Sequence, residues 1–166
     1  NGRIMIAGTN SGCGKTTVSL LLAEKLARPV IDIDEYLEKK YQMSIPEMFA
    51  ISEAYFRERE TICCQEVSKL NGYIISTGGG VIKNPENMKA LKENGIVIYI
   101  DRPISMILED VETSSRPLLK DGAEKLFDLY KERHQLYLDS CDYHIMNDVT
   151  IDEFINNIIN CIKENK

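Results

Sequence analysis

The sequence predicts an α/β three-layer fold, and three observations carry that prediction. Short β-rich runs alternate with helical patterns along the chain, and several of those runs are apolar almost throughout, as in parallel strands covered on both faces. Capping residues, prolines and glycines also fall at the helix ends. The strands are expected at 3–7 (RIMIA), 30–33 (VIDI), 73–77 (YIIST), 96–100 (IVIYI) and 143–146 (YHIM). Helices are expected at 14–27, 34–41, 52–70, 84–93, 103–112, 123–138 and 151–163. Ser52 with Glu53 opens one helix, Asn84 with Pro85 opens another, and Gly72 and Gly95 are expected to close the helices before them. The polar, proline-containing segment 113–122 is the candidate for a mobile loop.

Bulk properties narrow the function. A length of 166 residues suits one domain, 1–166, and 43% hydrophobic with 28% charged residues is ordinary for a globular chain. The formal net charge is -6 and no basic run exceeds two residues, so neither DNA nor RNA is an expected partner. No apolar stretch approaches the ~18 residues that cross a bilayer and no export signal opens the chain, so no membrane partner is expected. A cytoplasmic monomer is the expected state. The five cysteines, at 13, 63, 64, 141 and 161, show neither metal-finger nor paired spacing and are expected to be reduced thiols.

The stretch GTNSGCGKTT, Gly8 to Thr17, lies between the first strand and the first helix. A phosphate-binding loop has the form G-x-x-x-x-G-K-[ST], in which backbone N–H groups wrap a phosphate while the lysine and hydroxyl address the terminal phosphates and Mg²⁺. Gly14, Lys15 and Thr16 satisfy its ending, with Thr17 next on the helix and Gly12 as a further flexible position. Its first glycine is displaced by one: the required place holds Thr9, which serves if its φ is negative. The helix N-terminus favours an anion there. Cys13, between the two glycines, is either a small filler or a thiol activated by that field.

Three further motifs fall at the C-terminal edge of the expected sheet, where ligand crevices form. Asp32 and Asp34 end the second strand; two apart, they share a side if the segment is extended, and Asp34 alternatively caps the next helix. On the 52–70 helix, Phe56, Cys63, Val67 and Leu70 form an apolar stripe, and Glu60 leans toward it beside Arg57. That pair either fixes a guanidinium for a ligand or is a surface ion pair of little worth. Gly78, Gly79 and Gly80 open backbone N–H groups to a ligand or form a plain tight turn. Arg116, before a proline in the candidate loop, projects toward the phosphates. Arg133, between Tyr130 and Tyr137, reads in isolation as a surface residue, and His134 and His144 as ordinary surface or packing groups.

Taken together, the phosphate loop, DID, FRERE, STGGG, SRPLL and YKERHQLY resemble the shikimate kinase family in order and interval, over residues 3 to 147. The resemblance implies a nucleoside-monophosphate-kinase-like P-loop domain with a five-stranded parallel sheet and a mobile lid, which transfers a phosphoryl group from ATP to shikimate. It further implies that Lys15, Thr16 and Arg116 serve ATP with Gly12, Cys13, Gly14 and Thr17, and that Thr16 and Asp32 serve Mg²⁺. Asp34 would hold the acceptor hydroxyl, Arg57 and Arg133 its carboxylate, and Glu60 with Gly78, Gly79 and Gly80 would complete the acceptor site. Two features depart from the family pattern. The loop text is closer to that of cobyrinate amidase and dethiobiotin synthetase relatives, and Glu109 stands where the family places an arginine against adenine. Phosphorylation of another small hydroxylated metabolite such as gluconate, and non-catalytic nucleotide binding, are the alternative functions on this scaffold.

Overall fold

In the computed structural model, residues 2–9, 14–106 and 120–164 are described. Five strands run through them: β1 Arg3–Ala7, β2 Val30–Asp32, β3 Ile74–Ser76, β4 Gly95–Asp101 and β5 Tyr143–Met146. They form one all-parallel sheet in the order β2-β3-β1-β4-β5. The helices between them are α1 Lys15–Leu26, α2 Ile33–Tyr41, α3 Ile45–Ile51, α4 Glu53–Val67, α5 Pro85–Lys92, α6 Lys120–Ser140 and α7 Ile151–Glu164.

Strand alternation divides the core in two. Met5, Ala7, Ile75, Val97 and Tyr99 face one layer, with Leu37, Phe56, Cys63, Cys64, Val67, Leu91 and Tyr137 from α2 and α4 to α6. Ile4, Ile6, Ile74, Ile98 and Ile100 face the other, against Val18 and Leu22 of α1 and Phe154, Ile155 and Ile158 of α7. Both faces are therefore covered, which explains why these strands read as apolar throughout. Truncating a fully buried aromatic such as Phe154 to alanine is expected to cost about 3–5 kcal/mol.

Chain direction then fixes where a ligand can sit. From β1 the chain crosses over α1 toward the β2 edge; from β3 it passes beneath the sheet toward β4. Such opposed departures from neighbouring strands open a crevice at their C-terminal ends, here between β1 and β3.

The capping signals at Ser52 and Asn84 act as expected: Ser52 Oγ accepts from Tyr55 N and the Asn84 side chain from Glu86 N. Other boundaries differ. The second strand stops at Asp32 and α2 begins at Ile33, so Asp32 and Asp34 do not share one extended segment. The helical turn α3, capped by Ser44, escapes an expectation built on longer periodicity. Gly95 closes no helix: it is the first residue of β4, where a Cβ would lie 2.9 Å from the Arg3 carbonyl oxygen, and Asn94 makes the turn at φ 59°. Helix α6 reaches back to Lys120, which removes 120–122 from the expected loop 113–122; residues 113–119 lie outside the described residues.

Candidate active site

Gly14 sits at φ 91°, a left-handed conformation that glycine adopts without strain, and forms the N-cap of α1. Lys15 follows it and is only 6% exposed, its Nζ 3.5 Å from the Gly8 carbonyl oxygen. Thr16 and Thr17 are exposed on the first turn. Thr9, in place of the customary glycine, is buried and is not among the residues with positive φ, which is the condition under which threonine fits there. Gly12 and Cys13 lie outside the described residues, as do Glu109 and Arg116.

The two aspartates divide their tasks. Asp32, not Asp34, caps α2: its Oδ1 accepts from Asp34 N at 2.9 Å and from Glu35 N at 3.3 Å. Asp34 is thereby left in the first helical turn with its carboxylate turned to the glycine loop, where a Cβ on Gly78 would lie 3.0 Å from Asp34 Oδ1. Burial pushes the Asp34 carboxyl above the ordinary carboxylate range, the charge of Asp32 adds to that, and Lys15 and Arg57 oppose it.

The glycines after β3 are required by close approach on each side. A Cβ at Gly79 would meet the Thr9 carbonyl oxygen at 2.6 Å and Arg133 Nη1 at 2.8 Å, and one at Gly80 would meet Arg57 Nη2 at 2.5 Å. Arg57 is held from its own helix: Nη1 pairs with Glu60 Oε1 at 3.0 Å, Nε faces Glu53 Oε1 at 3.6 Å, and the guanidinium lies over the Phe56 ring at 5.0 Å. The Glu60 side chain is 1% exposed, so this pair is no surface ion pair. Burial raises the Glu60 carboxyl and Arg57 counters it. Arg133 is only 8% exposed, against its isolated reading as a surface residue, and its Nη1 donates to the Thr9 carbonyl at 2.9 Å. Its Nε is buried with no hydrogen-bond partner, and burial is the main influence lowering its pKa. Tyr137, one turn along α6, donates its hydroxyl to the Gly79 carbonyl at 3.0 Å.

A cavity of about 100 Å³ results, lined by Lys15, Thr16, Asp32, Asp34, Ser76, Thr77, Gly78 and Gly79. Arg133 reaches its wall through Thr9 and Gly79; Arg57 meets the next glycine of the turn, Gly80, and lies near enough to act electrostatically on both Asp34 and Arg133. Sequence reasoning missed Tyr137 as a site residue, although it lies four places after Arg133 and so shares a helix face with it. It also missed the wall residues Ser76 and Thr77, for which the polar turn at the end of β3 was the only signal.

The oxygen donors fit Mg²⁺. Thr16 and Asp32 line one cavity, and the cap bonds of Asp32 run through Oδ1, which leaves Oδ2 for a water or a cation. No cluster of three or more His, Cys, Asp or Glu occurs among the described residues.

Comparison with known proteins agrees with this geometry. The family model described as shikimate kinase matches residues 11–163. A shikimate kinase of Clostridium botulinum is 45% identical over 154 residues, covering 93% of each chain. Among solved structures, the shikimate kinase of Acinetobacter baumannii in complex with shikimate superposes with a TM-score of 0.89 at 34% identity, covering 99% of this chain and 94% of that one. The shikimate kinase of Aquifex aeolicus gives 0.86 at 33% identity, covering 98% and 97%. Matched by the family model over most of its length and by relatives at this identity, this chain belongs to the shikimate kinase family.

Proposed function

We propose that this chain transfers the γ-phosphoryl group of ATP to the 3-hydroxyl of shikimate, giving shikimate 3-phosphate and ADP. The single observation that carries the reading is the convergence on one glycine turn of a buried lysine, a half-buried carboxyl and two arginines carried by different helices. Arg57 and Arg133 present guanidinium forks to the carboxylate of the acid, and Glu60 and Thr9 hold those forks in orientation. Backbone groups of Gly78, Gly79 and Gly80 approach the ring, where any side chain would collide with the arginines or Asp34.

Transfer asks mainly for alignment and charge neutralisation. The acceptor oxygen bonds to the γ-phosphorus as the bond to the β,γ-bridging oxygen breaks, and ADP leaves. Asp34 orients the attacking hydroxyl and receives its proton; a carboxyl raised above its ordinary range is the better acceptor for it. Lys15 and Arg116, with Gly12, Cys13, Gly14 and Thr17 in the loop, hold the phosphates. Mg²⁺, when bound at Thr16 and Asp32, neutralises charge on the outer phosphates. The chain acts as a single-domain monomer.

A coupled assay for ADP release across a panel of acceptors tests the reading. Turnover with shikimate and background rates with gluconate and other hydroxylated acids are expected. Equal or greater turnover with another acceptor, or nucleotide binding with no turnover on any, would overturn it.

A further inference from the structure

The network around Asp101 is not used by the chemistry above. Asp101 ends β4 at the same sheet edge as the active site and is 3% exposed. Among the described residues its carboxylate meets imidazoles and a phenol. His144 of β5 donates Nε2–H to Oδ2 at 2.7 Å, and Tyr130 of α6 donates its hydroxyl to Oδ1 at 3.0 Å. His134, one turn along α6, stands with Nδ1 3.7 Å from Oδ2 and shares a 2.8 Å hydrogen bond with the Tyr99 hydroxyl. The rings stack as a ladder: Tyr130 on His134 at 4.9 Å, Tyr99 on His144 at 5.2 Å and Tyr99 on Tyr137 at 5.1 Å. Asp101 is itself fixed, since its carbonyl accepts from Asn147 N at 2.7 Å.

These contacts fall on the face of α6 that also carries Arg133. At 100° per residue, positions 130, 133, 134 and 137 span about 100° of arc. The helix is therefore pinned before Arg133 by Tyr130, beside it by His134 and after it by Tyr137, which reaches Gly79. Rotation of α6 about its axis would sweep the guanidinium off the Thr9 carbonyl. A buried carboxylate that depends on these donors also resists release, because leaving either oxygen unsatisfied is costly. Burial, aided by the bond to Asp101, pushes the Tyr130 phenol up to about 12, so the donor stays protonated.

We infer that Asp101, through Tyr130 and the two histidines, is a positioning residue that sets the rotation of α6 and thereby the aim of Arg133 at the acceptor. This rests on the acceptor reading above for its functional consequence, though not for its geometry.

Two variants and two readouts test it. Asp101→Asn keeps the shape but turns one of its two acceptor oxygens into a donor, and Tyr130→Phe removes one hydroxyl. In each, the nitrogen-15 NMR signal of Arg133 Nε–H is expected to shift while that of Arg57 stays in place. Calorimetry is expected to show shikimate binding weakened roughly 5–10-fold in Asp101→Asn, the size of one ordinary hydrogen bond, with ADP binding within about twofold. An unmoved Arg133 signal in a folded Tyr130→Phe protein would overturn the inference, as would equal weakening of both ligands. Should the wild type fail to bind shikimate at all, the acceptor reading falls, and the Arg133 signal alone decides this one. Should Asp101→Asn not fold, Tyr130→Phe carries both readouts.

Discussion

Arg133 donates from Nη1 to the carbonyl oxygen of Thr9 at 2.9 Å, joining α6 to the first residue of the phosphate-loop signature across 124 positions of sequence. One end of this guanidinium fork is thus committed to the loop, and under the proposed function its other nitrogens serve the acceptor. Lysine, a single point charge, is unable to serve both. Arg133→Lys is expected to lose about 2 kcal/mol of shikimate binding, roughly 30-fold, with ADP binding nearly unchanged. Paired calorimetric titrations check this, and equal losses for the two ligands would count against the assignment.

The three glycines are expected to differ when replaced by alanine. At Gly79 the new Cβ meets a backbone carbonyl at 2.6 Å, which has little room to yield; at Gly80 it meets the end of the Arg57 side chain at 2.5 Å, which can swing away. Gly79→Ala is therefore expected to lower Tm by several degrees and abolish turnover. Gly80→Ala is expected to keep Tm within about 2 °C, less than the shift from 1 kcal/mol in a chain of this size, while raising KM for shikimate. Thermal melts beside steady-state kinetics check the order.

Asp34 links stability to pH in a direction that can be worked out. Its carboxyl is raised on folding, mainly by burial and then by Asp32. The folded state therefore holds this proton more tightly than the unfolded chain. The stability it contributes is full below the ordinary value of 3.8 and is lost as pH rises through the raised value. At pH 7 the ionised group is a burden, so Asp34→Asn is expected to melt higher than the wild type, by roughly 2–4 °C per kcal/mol relieved, while turnover falls by orders of magnitude. A lower Tm for Asp34→Asn at pH 7 would contradict the burial argument. In the ligand-free protein, Asp32→Asn is expected to move the Asp34 titration to lower pH, measured by carbon-13 NMR of the carboxyl.

The adjacent thiols of α4 are expected to be inert. Burial pushes Cys63 up to about 11 and Cys64 well above its ordinary value. At pH 8 roughly one Cys63 in a thousand is thiolate, and only the thiolate reacts. Iodoacetamide at pH 8 is expected to leave the peptide carrying Cys63 and Cys64 unmodified in the native protein and to label it fully in urea. Fast labelling of the native protein, read by mass spectrometry, would show that this core opens.

How far the sequence disclosed these features depends on distance along the chain. The sheet was legible because each strand carries its own apolar run, and the cap at Ser52 because its signal lies within three residues. The Arg57 and Glu60 pair was legible for the same reason: both stand on one helix, and the stripe at Phe56 shows which way they face. The division between Asp32 and Asp34 was not, because it turns on whether α2 begins at Ile33 or one residue later, and helix boundaries are set by tertiary context. Arg133 and the contacts of the histidines were least legible, since Thr9 lies just after β1 and the Tyr99 and Asp101 side chains that the histidines meet stand on β4. No local pattern reports such long-range partners.

A crystal structure of the protein with shikimate, ADP and Mg²⁺ tests the central claim most directly. The account predicts the shikimate carboxylate between Arg57 and Arg133, the ring against the 78–80 turn, and a ring hydroxyl about 3 Å from the Asp34 carboxylate, facing the β-phosphate of ADP. Shikimate bound away from that turn, or with its carboxylate toward Lys15 and its hydroxyls toward the arginines, would contradict it.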